Sequence, residues 1–165
     1  MVRSSSHSNP HLHVYRPDNE ELTVNPLAEE IERAAERAVA MSETRGGGEL
    51  DYTEASLEIV EEMLAESVQY ASEMTPKQLE MLAQDFGSYV LEVAQRRFGG
   101  RYAWFEKRDQ PALIVGEPAC RIALIAWDKI SGRLAGDAAD NIPFFYAGFA
   151  ERVLQAKPGD DALFV

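Results

Sequence analysis

Apolar side chains recur at helical spacing in four stretches of this chain, and between the third and fourth they crowd into short runs. Leu27, Ile31, Ala34, Ala38 and Met41 share one side of a helix that opens at Asn25-Pro26, a capping residue with proline at the first helical position. The stripe is thin and alanine-rich, and Gly46-Gly47-Gly48 follows it as a flexible connector, so this first helix is expected to be a loosely held appendage. Leu57, Val60, Met63, Leu64, Val68 and Ala71 line the second helix, capped by Asp51 or Thr53. The third carries the best local signature. Thr75-Pro76-Lys77-Gln78 fits a capping box, and Leu79, Leu82, Phe86, Tyr89, Val90, Val93 and Ala94 hold one face until Arg96, Arg97 and Gly99-Gly100 end it.

The period then changes to that of strands. Arg101 to Lys107 alternates around Tyr102, Trp104 and Phe105, Ala112 to Gly116 is a short apolar run, and Arg121 to Trp127 is β-rich. Short connections favour an antiparallel meander. A short helix is expected from Lys129 to Leu134, then a last one from Ile142 to Gln155, capped by Asp140 and stopped by Lys157-Pro158-Gly159. The order predicts an α+β fold, with helices packed on one face of an antiparallel sheet of about three strands. The expected division is a flexible leader over 1–25, an acidic helix and glycine linker over 26–48, the α+β domain over 49–157 and a tail over 158–165.

Charge changes the picture most. Residues 26–75 hold 13 acids against three arginines, −10 of the chain's net −12, whereas residues 76–136 carry +2. So acidic a helical segment argues against nucleic acid and anionic membrane as partners and favours a basic protein surface. Glu29, Glu30, Glu58, Glu61, Glu62 and Glu66 are the candidate contact residues, on the first two helices. A solvated face is the ordinary explanation of such a run, but thirteen acids in fifty residues exceed what solubility requires.

Length and composition (165 residues, 45% hydrophobic, 27% charged) fit one globular domain. No apolar run is long enough for a membrane span, and residues 1–21 lack the apolar core of a secretory signal. Cys120 is the sole cysteine, so no intrachain disulfide forms and a reducing cytoplasm is the expected location.

The stretch from Leu50 to Phe149 resembles a family of small bacterial α+β domains of unknown function, through LDYTEASLEIVEEML (50–64), GSYVLEVAQRRFGG (87–100), PALIVG (111–116), KISGRLAG (129–136) and NIPFFY (141–146). Some such domains are encoded beside toxin and antitoxin-like genes, and the resemblance implies an intracellular binding or immunity-type role. It assigns no residue roles.

The catalytic chemistry is constrained by what is missing. His7, His11 and His13 are the only histidines, so triad catalysis and histidine-based zinc sites have no support from Val14 onward. In the leader, Pro10 prevents helical pairing of the three, and no nearby acid or cysteine completes a metal shell. Neither Gly46-Gly47-Gly48 nor Gly99-Gly100 is a phosphate loop, because no Lys-Ser/Thr follows. No cofactor, metal or catalytic residue is therefore assigned.

Three further readings stand beside these. Asp128, Asp137 and Asp140 are an alternative acid–base or cation cluster, two of them equally explained as helix caps. Arg96, Arg97, Arg101, Lys107 and Arg108 form a basic group beside Tyr102 and Trp104, expected to pair with the acidic helices. Phe144 and Tyr146 are expected to be exposed aromatics, and a homodimer through them is the structural alternative. The leading expectation is a non-enzymatic, cytoplasmic protein-binding module, an immunity-type inhibitor in its sharpest form, that offers its acidic helical face to a basic partner.

Overall fold

The computed structural model describes residues 25–165; residues 1–24 of the leader, with the three histidines, lie outside the described residues. Within them run α1 (Pro26–Arg45), α2 (Leu57–Val68), α3 (Pro76–Phe98), β1 (Arg101–Phe105), β2 (Gln110–Val115), β3 (Arg121–Leu124), α4 (Trp127–Leu134), α5 (Ile142–Leu154) and β4 (Asp161–Phe164). The fold is α+β. The sheet has four strands in the order β1-β2-β3-β4, antiparallel except for the β3–β4 pair, which is parallel. The expected three-stranded meander is therefore β1 to β3. The fourth strand comes from the segment expected to be a tail, whose DALF run is too short to declare a strand by alternation. It is set in register by its pairing to β3, Ile122 opposite Ala162 and Leu124 opposite Phe164, with Gly159 N–H donating to the Ala119 carbonyl at 2.7 Å.

Local chemistry explains the helix boundaries. Asn25 accepts from the Leu27 N–H at 3.1 Å ahead of Pro26, and Thr75 and Gln78 complete the capping box of α3. Gly99 and Gly100 both take positive φ (70° and 99°), which turns the chain at once from α3 into β1. The last helix is capped by Asn141, whose side chain accepts from the Phe144 N–H at 3.0 Å, and not by Asp140 one residue earlier. Trp127 belongs to α4 and not to a strand, because β3 stops at Leu124.

α3 is the centre of the molecule. Its residues 85 to 94 are buried on every side, not on one stripe. Phe86, Tyr89, Val90 and Val93 share one core with Leu113, Val115, Ile122 and Leu124 on the helix-facing side of the sheet. α1 is no appendage: Ile31, Ala35 and Ala38 belong to that same core. The alanines that make its stripe look weak let the two backbones approach closely, so small residues here signal tight packing. A positive φ at Tyr52 (63°) bends the connection so that its N–H donates to the Tyr89 hydroxyl at 2.8 Å, and Ser56 Oγ lies 2.6 Å from the same oxygen. No helix among the described residues is long and apolar enough to cross a membrane.

Candidate functional site

The acidic residues singled out from the sequence do not form one surface. Glu29 pairs with Arg33 one turn on, at 3.0 Å. On α2, Glu58, Glu62 and Glu66 form an exposed stripe four residues apart. Glu66 takes a two-pronged contact from Arg45 (2.6 and 2.8 Å), which holds its carboxyl below the usual range, and Glu62 lies 3.6 Å from the same guanidinium. Glu61 is a correction. Its side chain is only 15% exposed, accepting from Arg133 Nε at 2.6 Å and from the Ile142 N–H at 3.1 Å, so it ties α2 to α4 and to the start of α5. Glu61 stands four residues after Leu57 and three before Leu64, on the buried side of the helix; its charge obscured a phase that the stripe already implied.

Glu30 is placed differently. It borders a cleft of about 980 Å³ walled by the first half of α3, α4, and the end of the β1–β2 hairpin. A smaller lobe of about 230 Å³ continues between α1 and α3, and Glu30, Gln84, Trp104 and Trp127 line both.

The floor is the chain's two tryptophans. Trp104 stands on the helix-facing side of β1, two residues beyond buried Tyr102, and is 44% exposed at the strand's end. Trp127 opens α4 and meets it edge-to-face, the ring centroids 6.0 Å apart and the planes at 81°. Its Nε1–H donates to Ser88 Oγ at 3.2 Å. Its ring edge lies against Gly87, where an added Cβ would stand 2.5 Å from Cδ1 and 3.0 Å from the backbone of Trp127. Gly87 and Ser88 thus fix one wall of the cleft from the centre of α3.

Gln110 supplies the next element. It is 1% exposed, accepts from the Asp128 N–H at 3.3 Å and makes only a long contact, 3.5 Å, from Nε2 to the Arg108 carbonyl. Asp128 takes Arg108 Nη1 at 3.0 Å on one carboxylate oxygen, in an exposed pair. Around the mouth of the main lobe, Glu30, Glu80, Asp109 and Asp128 oppose Arg108, and in the smaller lobe Arg33 and Arg37 are paired with Glu29 and Asp85. Glu30, Glu80 and Asp109 make no ion pair among the described residues. The cleft is therefore aromatic below and acidic above.

The other sequence candidates separate. Asp128 lines the cleft, Asp140 pairs with Lys129 at 3.0 Å, and exposed Asp137 caps a single turn at Ala139. No group of three potential ligands for a metal ion occurs among the described residues. Of the basic group, only Arg97 pairs with the acidic segment, at Glu54; Arg101 pairs with Glu117, Arg108 with Asp128, Lys107 makes no ion pair among the described residues, and Arg96 lies 3.6 Å from Glu92 and stacks over the Tyr52 ring at 3.5 Å. Glu92 also accepts from the Tyr102 hydroxyl at 2.6 Å, deep between α3 and β1. Half-buried Cys120 lies beside the Gly116 carbonyl. Phe144 is 79% exposed, as expected, but Tyr146 is buried against Phe149.

Sequence reasoning missed the tryptophan pair. The signal was present, because the chain has only two tryptophans and one alternates with Tyr102 on a strand. Their meeting depends on where β3 ends, which the apolar run through 122–127 conceals.

No protein-family model, curated protein or solved structure matches this chain. The likeness of residues 50–149 to a family of small bacterial domains stands as an expectation from the motifs alone.

Proposed function

We propose that this chain is a non-enzymatic protein-binding module, and that its contact site is the acid-rimmed tryptophan cleft rather than the whole acidic face of α1 and α2. The supporting observation is the combination of a large aromatic floor with a rim whose carboxylates have few internal partners. Several acids outside the cleft are committed elsewhere: Glu61 to Arg133, Glu66 to Arg45, Glu54 to Arg97 and Glu29 to Arg33. Interfaces concentrate energy in buried aromatic anchors, while rim charges set partner choice and association rate. A basic segment of a partner protein fits both features. In the immunity-type version, which rests on the resemblance alone, that partner is a toxin.

The test is affinity capture from the native host with the wild type and a Glu30→Arg/Glu80→Arg double variant, at low and high ionic strength. The reading expects a retained protein that salt releases and that the charge-reversed variant fails to hold. A partner retained equally by both, at both salt concentrations, would refute it.

A further inference from the structure

We infer that the corner between Trp104 and Trp127 receives a guanidinium, the side chain of an arginine on the partner's basic segment. The inference rests on the proposed binding role for the partner's identity, but its chemistry is carried by the cleft. Two indoles at 81° with centroids 6.0 Å apart form adjacent walls, and a cation over an indole face is attracted by the ring quadrupole. Trp127 is held before any ligand arrives: Ser88 fixes its Nε1–H and Gly87 seats its edge, so binding orders little of this wall.

The carboxylates are placed to complete the site. Arg108 already shows that a guanidinium reaches Asp128 at the mouth of the cleft, using one carboxylate oxygen, and the other has no partner among the described residues. Glu30, common to both lobes, supplies a second negative charge on the α1 side.

Arginine suits this geometry better than lysine. Its planar, weakly hydrated group can stack on an indole and engage a carboxylate at once, whereas an ammonium is compact and strongly hydrated. An anionic ligand would meet Glu30, Glu80, Asp109 and Asp128 together, and a neutral one would leave their charge unanswered.

Because both tryptophans of the chain line the cleft, its whole tryptophan emission reports on the site. The full chain is titrated with N-acetyl-arginine amide and, separately, with N-acetyl-citrulline amide, the neutral isostere, at constant ionic strength. The expected result is a saturable emission change with the arginine compound and binding about tenfold weaker with citrulline. Trp104→Ala, at an exposed strand end, should stay folded by circular dichroism and weaken arginine binding about tenfold, read from Trp127. Asp128→Asn should weaken it severalfold. Equal binding of the two compounds, an unsaturable response, or full affinity in Trp104→Ala overturns the inference. If arginine amide binds as expected while the charge-reversed rim still retains the host partner, the proposed role fails and the site stands. If the partner is lost with rim charge but arginine amide does not bind, the role stands and the guanidinium site is wrong.

Discussion

Replacing Gly87 with alanine separates two effects of opposite sign. Gly87 lies inside α3, where alanine is favoured over glycine by about 1 kcal/mol on helix propensity alone. The added Cβ would stand 2.5 Å from Trp127 Cδ1 and 3.0 Å from the Cα and N of the same residue. Carbon atoms in contact prefer roughly 3.5–4.0 Å. Two of the three opposing atoms are backbone, so a rotamer change cannot clear the space and α3 must part from α4 by an appreciable fraction of an ångström. Overpacking of this kind costs about 1–3 kcal/mol, and the backbone contact puts Gly87 at the upper end. The net expectation is a loss of about 2 kcal/mol, or a fall in Tm of about 4–8 °C for a chain this size. Urea denaturation followed by tryptophan emission and circular dichroism measures it.

Gly148 on α5 is the internal control, because a Cβ there meets only Phe164, at an ordinary 3.9 Å. Gly148→Ala should stabilise by about 1 kcal/mol, the propensity gain alone. If Gly87→Ala is as stabilising as Gly148→Ala, the close seating of Trp127 on α3 is wrong, and with it the fixed wall of the cleft.

Three further outcomes follow from the packing. Glu61→Lys should destabilise by about 2 kcal/mol or more, because it leaves Arg133 unpaired in a mostly buried place, whereas Glu62→Lys should leave the urea midpoint nearly unchanged. Val90→Asp buries a charge at the centre of α3 and should abolish cooperative unfolding. Burial raises the Asp85 carboxyl above its ordinary 3.8 despite the 2.8 Å contact with Arg37. An acid raised on folding contributes stability that is present below the unfolded pKa and lost as pH rises through the folded one. Relative to Asp85→Asn, the wild type should therefore lose stability as pH climbs from below 3.8 through that raised value, measured as the difference in urea midpoints; a difference that is flat or grows with pH contradicts this.

The elements governed by local chemistry were legible in the sequence. The Thr75/Gln78 capping box, the Asn25-Pro26 start and the Gly99-Gly100 stop each depend on residues within one turn, and each stands where the sequence puts it. What was hidden depends on partners distant in the chain. β4 owes its existence to pairing with β3 some forty residues earlier, as in Arg121 with Asp161, and α1 owes its burial to α3. Glu61 is legible in hindsight from helical phase, but a carboxylate is read as solvent-facing unless its partner is known, and Arg133 lies 72 residues away. Of the residues proposed to bind, Glu30 is at the cleft and Asp128 was noted for another reason. Trp104 and Trp127 come together only once the strand order and the short connection after β3 are set.

The most direct test of the acid-rimmed cleft is a proton–nitrogen correlation spectrum of the full chain, titrated with a blocked Gly-Arg-Gly-Arg-Gly peptide. Two indole N–H peaks are expected, one from each tryptophan. The account predicts that both shift with a common saturation curve, together with amides near Gln84, Gln110 and Asp128, while amides around Glu58 and Glu62 stay in place. Shifts gathered on α2, or none at the two indoles, would contradict it.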